Sequence, residues 1–153
     1  MKRILAISTL FLVLIGIFYV ETNKIAKNRF SDTGTAVMRL DKSTYRVGES
    51  LTLTITNTGV ETLLVGEFYR LYRLEDGRWK ELDLGFSFTG IGYTIPPGGN
   101  WSQVVPLVRY VSAKPEPLPP GRYRIVKSLT IDRGRCGRRS DEITLSAEFE
   151  VVG

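Results

Sequence analysis

The stretch 49–57 limits what this chain can fold into more than any other part of the sequence. Three apolar residues alternate strictly with three threonines, in the order Leu51, Thr52, Leu53, Thr54, Ile55 and Thr56. Successive side chains of a β-strand point to opposite faces, so the pattern predicts a strand with one buried face and one face in water. A helix would need apolar residues at a period of about 3.6, and residues 35–153 sustain no such period.

Short β-branched and aromatic runs recur through the rest of the domain and predict eight or nine strands. The segment 112–120 holds four of the seven prolines and predicts a loop. Turn residues recur roughly every 8–12 residues without an internal repeat, which favours a β-sandwich over a barrel. The predicted strands cover 35–40, 49–57, 60–65, 67–74, 78–84, 91–95, 101–108, 122–131 and 142–152.

The first 20 residues have a different character from the rest of the chain. Lys2 and Arg3 precede an uncharged and mostly apolar run, 4–20, whose length is at the lower limit for a helix that spans a bilayer. The run ends in bulky residues, where a signal peptidase requires small ones. We therefore expect residues 1–20 to be a signal-anchor or transmembrane segment, with a cleaved signal peptide or a buried core helix as alternatives.

The basic residues before this run predict a cytoplasmic N-terminus and an extracytoplasmic domain. The polar segment 21–34 is interpreted as a tether, and residues 35–153 as one domain. The protein is then anchored in the membrane through its N-terminal helix, or secreted if the leader is cleaved.

The charge distribution argues against nucleic acid as a partner. Residues 1–34 hold five of the 21 Lys and Arg residues but two of the 16 Asp and Glu residues, so the net charge of +5 falls to +2 for residues 35–153. The basic character therefore belongs largely to the leader and the tether, and the domain lacks the charge excess of a nucleic-acid-binding module.

Two absences from the sequence limit the chemistry. The chain has no histidine, which excludes Ser-His-Asp and Cys-His catalysis and removes the commonest metal ligand. Cys136 is the only cysteine, so no disulfide forms within the chain. The sequence therefore predicts a protein that is not an enzyme, with no catalytic residue, no cofactor and no metal site.

The segment between the last two predicted strands is the most basic in the domain. It combines four arginines with the only thiol: Arg133, Arg135, Cys136, Arg138 and Arg139. Nearby cations favour the thiolate form of a cysteine, and arginine suits phosphate oxygens. The segment is either a loop that binds an anionic envelope polymer or another partner, with a reactive thiol, or a solvated hairpin tip.

Aromatic residues are concentrated in the middle of the chain. They form either a platform for a sugar or a peptide, or part of the core of the sandwich. The residues concerned are Phe68, Tyr69, Tyr72, Trp79, Phe86, Phe88 and Tyr93.

The sequence Leu118-Pro119-Pro120-Gly121-Arg122-Tyr123 resembles the corner between strands E and F of immunoglobulin-like (Ig-like) domains. The resemblance implies that Leu118, Gly121 and Tyr123 form a structural corner, in which the tyrosine hydroxyl binds the main chain just upstream. Disulfide-bearing Ig domains have a cysteine two residues after this tyrosine, whereas this chain has Ile125, so apolar packing must replace the bridge.

The segments 45–53, 57–59, 75–79 and 119–127 are similar, in the same order, to bacterial Ig-like domains of the Gram-positive surface and lipoprotein type. This resemblance implies an all-β fold, an Ig-like Greek-key β-sandwich preceded by the N-terminal helix. It also implies a binding or interaction module without catalytic activity, whose partner is an unknown protein or an envelope polymer.

A small bacterial proteinase-inhibitor domain, which is also Ig-like, shares the opening strand and the corner. The similarity to that domain implies an alternative function, in which the proline-rich loop 112–120 is presented to a proteinase. Both functions rest on analogy between folds.

Overall fold

The computed structural model describes residues 30–132 and 141–153, and in this part of the chain all regular structure is β-strand. The prediction of an all-β fold is confirmed. The described strands are β1 (Phe30–Asp32), β2 (Ala36–Leu40), β3 (Thr44–Arg46), β4 (Ser50–Asn57), β5 (Thr62–Gly66), β6 (Arg70–Glu75), β7 (Arg78–Glu81), β8 (Gly92–Ile95), β9 (Asn100–Pro106), β10 (Val108–Val111), β11 (Lys114–Pro117), β12 (Gly121–Asp132) and β13 (Glu142–Val152).

The strands of the described residues form two sheets and a separate hairpin. The first sheet is antiparallel and has the order β1-β2-β4-β9. The second sheet has the order β3-β13-β12-β5-β8, and β6 also pairs with β12 and carries β7 on its other side. In the second sheet β3 runs parallel to β13, and β10 and β11 form the hairpin.

The core lies between the two sheets because the inward-facing positions of both are apolar. Leu51, Leu53 and Ile55 of β4 are fully buried, and the threonines between them are partly exposed, as the alternation predicts. Inward residues of β12 and β13 complete the same cluster from the second sheet. Burial of each such leucine or isoleucine side chain contributes about 1.5–3 kcal/mol.

The long strand β12 changes partner along one of its edges, and this change positions the site described below. Residues 123–126 of β12 pair with β6, whereas residues 129–132 pair with β5. Residues 67–69 connect these two partner strands and leave the ladder. The predicted strand 67–74 therefore begins only at Arg70.

Four short strands were not predicted, and one of them is β10, because the predicted strand 101–108 divides into β9, which ends at Pro106, and β10, which continues to Val111. β1 lies within the predicted tether 21–34, so the sheet begins before residue 35. β3 lies between the predicted strands 35–40 and 49–57, and β11 lies in the predicted loop 112–120. The loop prediction is wrong there because Ser112 and Ala113, both at positive φ, turn the chain back and Lys114–Pro117 pairs with β10. Prolines are tolerated in this hairpin, since it lies outside both sheets.

The predicted N-terminal helix, 1–20, lies outside the described residues and stays a prediction. Within the described residues, no helix has the length and apolar character that crossing a membrane requires.

Candidate functional site

The basic segment stays a prediction as well. Arg133, Arg135, Cys136, Arg138 and Arg139 fall between the end of β12 and the start of β13, outside the described residues.

The predicted corner lies at the start of β12. The Tyr123 hydroxyl donates a hydrogen bond to the Pro119 carbonyl oxygen at 2.6 Å, and Leu118 is buried. Gly121 has a φ of 156°, which L side chains rarely adopt. Burial raises the pKa of Tyr123, and its ring stacks on Phe149 with 5.6 Å between centroids. The side chains of Leu118 and Tyr123 contact other parts of the domain, and the corner is therefore structural.

A groove of about 640 Å³ opens beside β9, and its other lining residues come from β8, β10 and the β5–β6 and β7–β8 connections. We call it the aromatic groove, because aromatic side chains make up most of its apolar wall. The described aromatic residues that line it are Tyr69, Phe86, Phe88, Tyr93, Trp101 and Tyr110. Grooves of this size and composition are typical of ligand sites.

The rings of the wall support one another. Phe88 packs against Tyr69 and Phe86 with centroid separations of 4.7 and 5.0 Å, and Phe86 contacts Tyr110 at 5.7 Å. On the opposite side, Tyr93 and Trp101 are 5.7 Å apart. Such ring pairs contribute about 0.5–1.5 kcal/mol each beyond the area that they bury. The wall is thus preformed.

A glycine sets the path of the segment that carries Phe86 and Phe88. Gly85 has a φ of 68°, and a Cβ atom there would lie 2.0 Å from the Tyr110 carbonyl oxygen. The Tyr110 amide in turn donates to the Leu84 carbonyl oxygen at 2.8 Å. This close approach of two backbones holds the segment against β10.

A buried lysine lies behind the groove. Lys127 occupies an inward position of β12, between Ile125 and Leu129, and its side chain is 0% exposed. Its Nζ atom donates to the Gly66 carbonyl oxygen at 2.6 Å and to Gln103 Oε1 at 2.7 Å. The ammonium thus satisfies a carbonyl where β5 ends, and it joins the second sheet to β9 of the first.

Trp101 and Glu67 complete this polar cluster. Lys127 Nζ lies 4.8 Å from the centroid of the Trp101 ring, and Gln103 Nε2 donates to the Glu67 carbonyl oxygen at 2.9 Å. The Glu67 carboxylate accepts hydrogen bonds from the hydroxyls of Thr89 and Tyr93 and lines the groove. The groove therefore combines a flat aromatic wall with one oriented carboxylate.

Burial governs the electrostatics of the cluster. Loss of hydration lowers the pKa of Lys127 from 10.5 to about 8, and the negative charge of Glu67 partly opposes this change. Burial, together with the nearby Tyr110, raises the pKa of Tyr69 to about 12. At neutral pH Tyr69 is therefore protonated, and the Lys127 ammonium is held by the Gly66 carbonyl oxygen and Gln103 Oε1.

Comparison with known proteins identifies the family. A family model described as a bacterial Ig-like domain matches residues 32–150. The chain belongs to this family. No protein of curated function matches the chain significantly.

Several solved structures are similar to this Ig-like domain at low identity. The alkylpurine DNA glycosylase AlkC of Pseudomonas fluorescens is 17% identical, with a TM-score of 0.40, over 80% of this chain and 32% of that chain. Native alpha-2-macroglobulin of Escherichia coli, from domain MG7 to the C-terminus, is 15% identical, with a TM-score of 0.48, over 82% of this chain and 17% of that chain. A beta-glucosidase of Listeria innocua is 14% identical, with a TM-score of 0.36, over 80% of this chain and 16% of that chain. The chain thus spans about a third of the glycosylase chain and under a fifth of the other two.

The aromatic residues that the sequence singled out divide into two groups in this Ig-like domain. Tyr69, Phe86, Phe88 and Tyr93 line the groove, and Phe68 contacts Phe88 at its rim. The remaining two lie elsewhere on the second sheet: Tyr72 donates to Glu81, and Trp79 packs under the Arg124 guanidinium at 4.2 Å.

Sequence reasoning missed Trp101, Gln103 and Lys127 as members of one site. The alternation of β12 carried a signal for Lys127, because a lysine at an inward position of a strand must find buried acceptors. No comparable signal marked Gln103, whose role depends on the approach of two distant strands. Among the described residues no three His, Cys, Asp or Glu side chains cluster in a way that could hold a metal ion.

Proposed function

We propose that this Ig-like domain is a non-enzymatic binding module and that the aromatic groove is its ligand site. The observation that carries the proposal is the combination of the preformed aromatic wall with the Glu67 carboxylate, beside a strand edge. Aromatic rings and a few oriented polar groups are what small, specific sites use to hold a ligand. In the same proposal, residues 1–20 anchor the domain in the membrane and place it outside the cytoplasm.

The two tryptophans allow a matched test of the groove. Trp101 lines it, whereas Trp79 lies on β7 under Arg124. In the full chain with Trp79→Phe, Trp101 is the only tryptophan, and a ligand in the groove should shift or quench its emission. In the matched control, Trp101→Phe, the emission of Trp79 should not respond.

The panel for this titration consists of envelope-type oligosaccharides and a library of synthetic peptides. We expect at least one class to change the Trp101 emission in a saturable way. If every member leaves the emission unchanged, or changes the Trp79 emission equally, the groove is not the ligand site.

Proteinase inhibition is the second candidate function. It is favoured by the exposure of all four residues of β11, which holds an extended, proline-containing segment at the surface. Incubation of the full chain with a panel of extracellular proteinases tests it. Stoichiometric inhibition that is lost when Pro115 and Pro117 are replaced by glycine would support this function, and the absence of inhibition would exclude it for that panel.

A further inference from the structure

The free edge of β9 adds main-chain hydrogen-bonding groups to the aromatic groove. Within the described residues β9 pairs with β4 and has no neighbour on its other side. An unpaired edge carries a row of main-chain donors and acceptors.

The hydrogen-bond register shows which main-chain groups face the groove. The Asn57 amide donates to the Gly99 carbonyl oxygen, and the Leu107 amide donates to the Glu49 carbonyl oxygen. Hydrogen-bonded pairs alternate with non-hydrogen-bonded pairs in an antiparallel ladder, so the odd-numbered residues of β9 bond to β4. The main-chain groups of Ser102 and Val104 therefore point away from β4.

The groove follows this edge. Both odd-numbered and even-numbered residues of β9 line the groove: Trp101 and Gln103 face the core, whereas Ser102 and Val104 face outward. Side chains from both faces of one strand border the same groove only where that groove runs along the strand's edge. The Val104 side chain is 66% exposed.

We propose that the aromatic groove takes an extended segment of a partner polypeptide, which adds to β9 as a further strand of the first sheet. This inference rests on the proposed function and names its ligand class. The free N–H and C=O groups of Ser102 and Val104 require an occupant that offers acceptors and donors at the two-residue repeat of a strand. An extended polypeptide provides that repeat.

The edge also sets the length and the end of the added strand. β9 runs from Asn100 to Pro106, which is about 20 Å at about 3.3 Å per residue. Pro106 has the same parity as Val104 but lacks an N–H, so it cannot extend the ladder. We expect five or six residues of the partner to pair.

The side chains of the groove specify the sequence of the partner. Alternate residues of the added strand face the wall that contains Phe86 and Tyr110, so they should be apolar. Among the described residues that line the groove, Glu67 alone carries a charge. Lys127 is fully buried and donates its hydrogen bonds to Gly66 and Gln103, so a basic residue of the partner should lie beside Glu67.

The first experiment selects peptides on the immobilised full chain from a phage-displayed library of random octapeptides. The expected consensus has apolar residues at alternate positions and one lysine or arginine at one end. The selected peptide is then synthesised with N-methyl groups on alternate amides, in two versions of opposite parity. Because only one parity faces β9, one version should lose at least tenfold in affinity and the other should bind within about threefold of the unmodified peptide.

The second experiment changes the edge of β9 itself. Val104→Pro removes an edge-facing N–H without removing a hydrogen bond to β4, as the natural Pro106 already does. Val104→Ala removes most of the side chain but keeps the N–H, and is the matched control. We expect Val104→Pro to weaken peptide binding at least tenfold and Val104→Ala to weaken it less than threefold, with both variants retaining the circular dichroism spectrum of the natural chain.

The outcomes distinguish this inference from the proposed function. Strand addition would be overturned if the two N-methylated versions bind equally well, or if the selection enriches no peptide with alternating apolar residues. Both outcomes can be read even if Val104→Pro does not fold. An oligosaccharide that changes the Trp101 emission while no peptide binds would keep the groove as a ligand site and overturn its polypeptide partner. A concentration-dependent dimer of the chain that Val104→Pro abolishes would also overturn it, because a second copy would then occupy the edge.

Discussion

Lys127 makes the stability of this domain depend on pH in a direction that is unusual for a lysine. Its pKa is 10.5 when exposed, as in the unfolded chain, and about 8 in the folded domain. Between these values the unfolded chain binds one proton more than the folded one, so the free energy of unfolding rises as the pH increases. Below pH 8 the buried group is an ammonium, whose loss of hydration lowers the free energy of unfolding. Above pH 8 it is a neutral amine, whose burial lowers the free energy of unfolding less.

The magnitude follows from the same two values. One pKa unit corresponds to about 1.4 kcal/mol, so the complete difference amounts to about 3 kcal/mol. The useful pH range ends near 9.5 because of Tyr69. Its pKa is about 12 in the folded domain, whereas ordinary tyrosines ionise near 10, so above that pH Tyr69 lowers the free energy of unfolding. Between pH 7.5 and 9.5 we expect the free energy of unfolding to rise by about 2 kcal/mol.

Urea denaturation of the full chain at half-unit steps of pH measures this rise. Lys127→Met is the control and should show no rise in this range, whatever its stability at neutral pH. Glu67→Gln is the second variant: loss of the negative charge lowers the pKa of Lys127 further, so the rise should begin at a lower pH. A flat profile for the natural chain, or parallel profiles for the natural chain and Lys127→Met, would refute the assignment of a charged, desolvated lysine.

Three substitutions test other parts of the structure by denaturation midpoints. Tyr123→Phe removes the hydroxyl that binds the Pro119 carbonyl and should cost about 0.5–1.5 kcal/mol; an unchanged midpoint would show that the corner contributes nothing. Asn57→Ala leaves the buried Ile95 carbonyl and the partly buried Glu61 carbonyl without their donor, so it should cost about 2 kcal/mol or more. A loss below about 0.5 kcal/mol, the least expected for one hydrogen bond, would contradict this role. Gly85→Ala drives a Cβ atom into the Tyr110 carbonyl, so it should lower both the thermal midpoint and the Trp101 response; a folded variant with unaltered ligand response would show that the segment does not shape the groove.

The strands that could be predicted from sequence are long enough for the burial of each residue to follow from its position within the same strand. The alternation of β4 and the run of β13 follow from a period of two, and both appear close to their predicted bounds. The short strands β1, β3, β10 and β11 could not be predicted in this way, because runs of three or four residues are too short to establish a period of two.

The groove was only partly predictable for a related reason. The aromatic residues were visible in the sequence, yet their division between the groove and the outer surface depends on where the chain leaves the ladder at 67–69. That departure is tied to Lys127, sixty residues away, whose ammonium binds the carbonyl at the end of β5. Contacts between distant positions of this kind have no local sequence signature.

The parallel pairing of β3 with β13 affects when the domain can complete its fold. Thr44 pairs opposite Glu150, so these partners are about a hundred residues apart in sequence. Contacts of such high sequence separation slow folding, because a long loop must close before they form. A ribosome releases β13 after the other described strands, so β3 and one edge of β12 stay without this partner until β13 has emerged. A product that stops before β13 would consequently leave β3 without its partner strand, and it should be cleared by proteases rather than accumulate as a shortened domain.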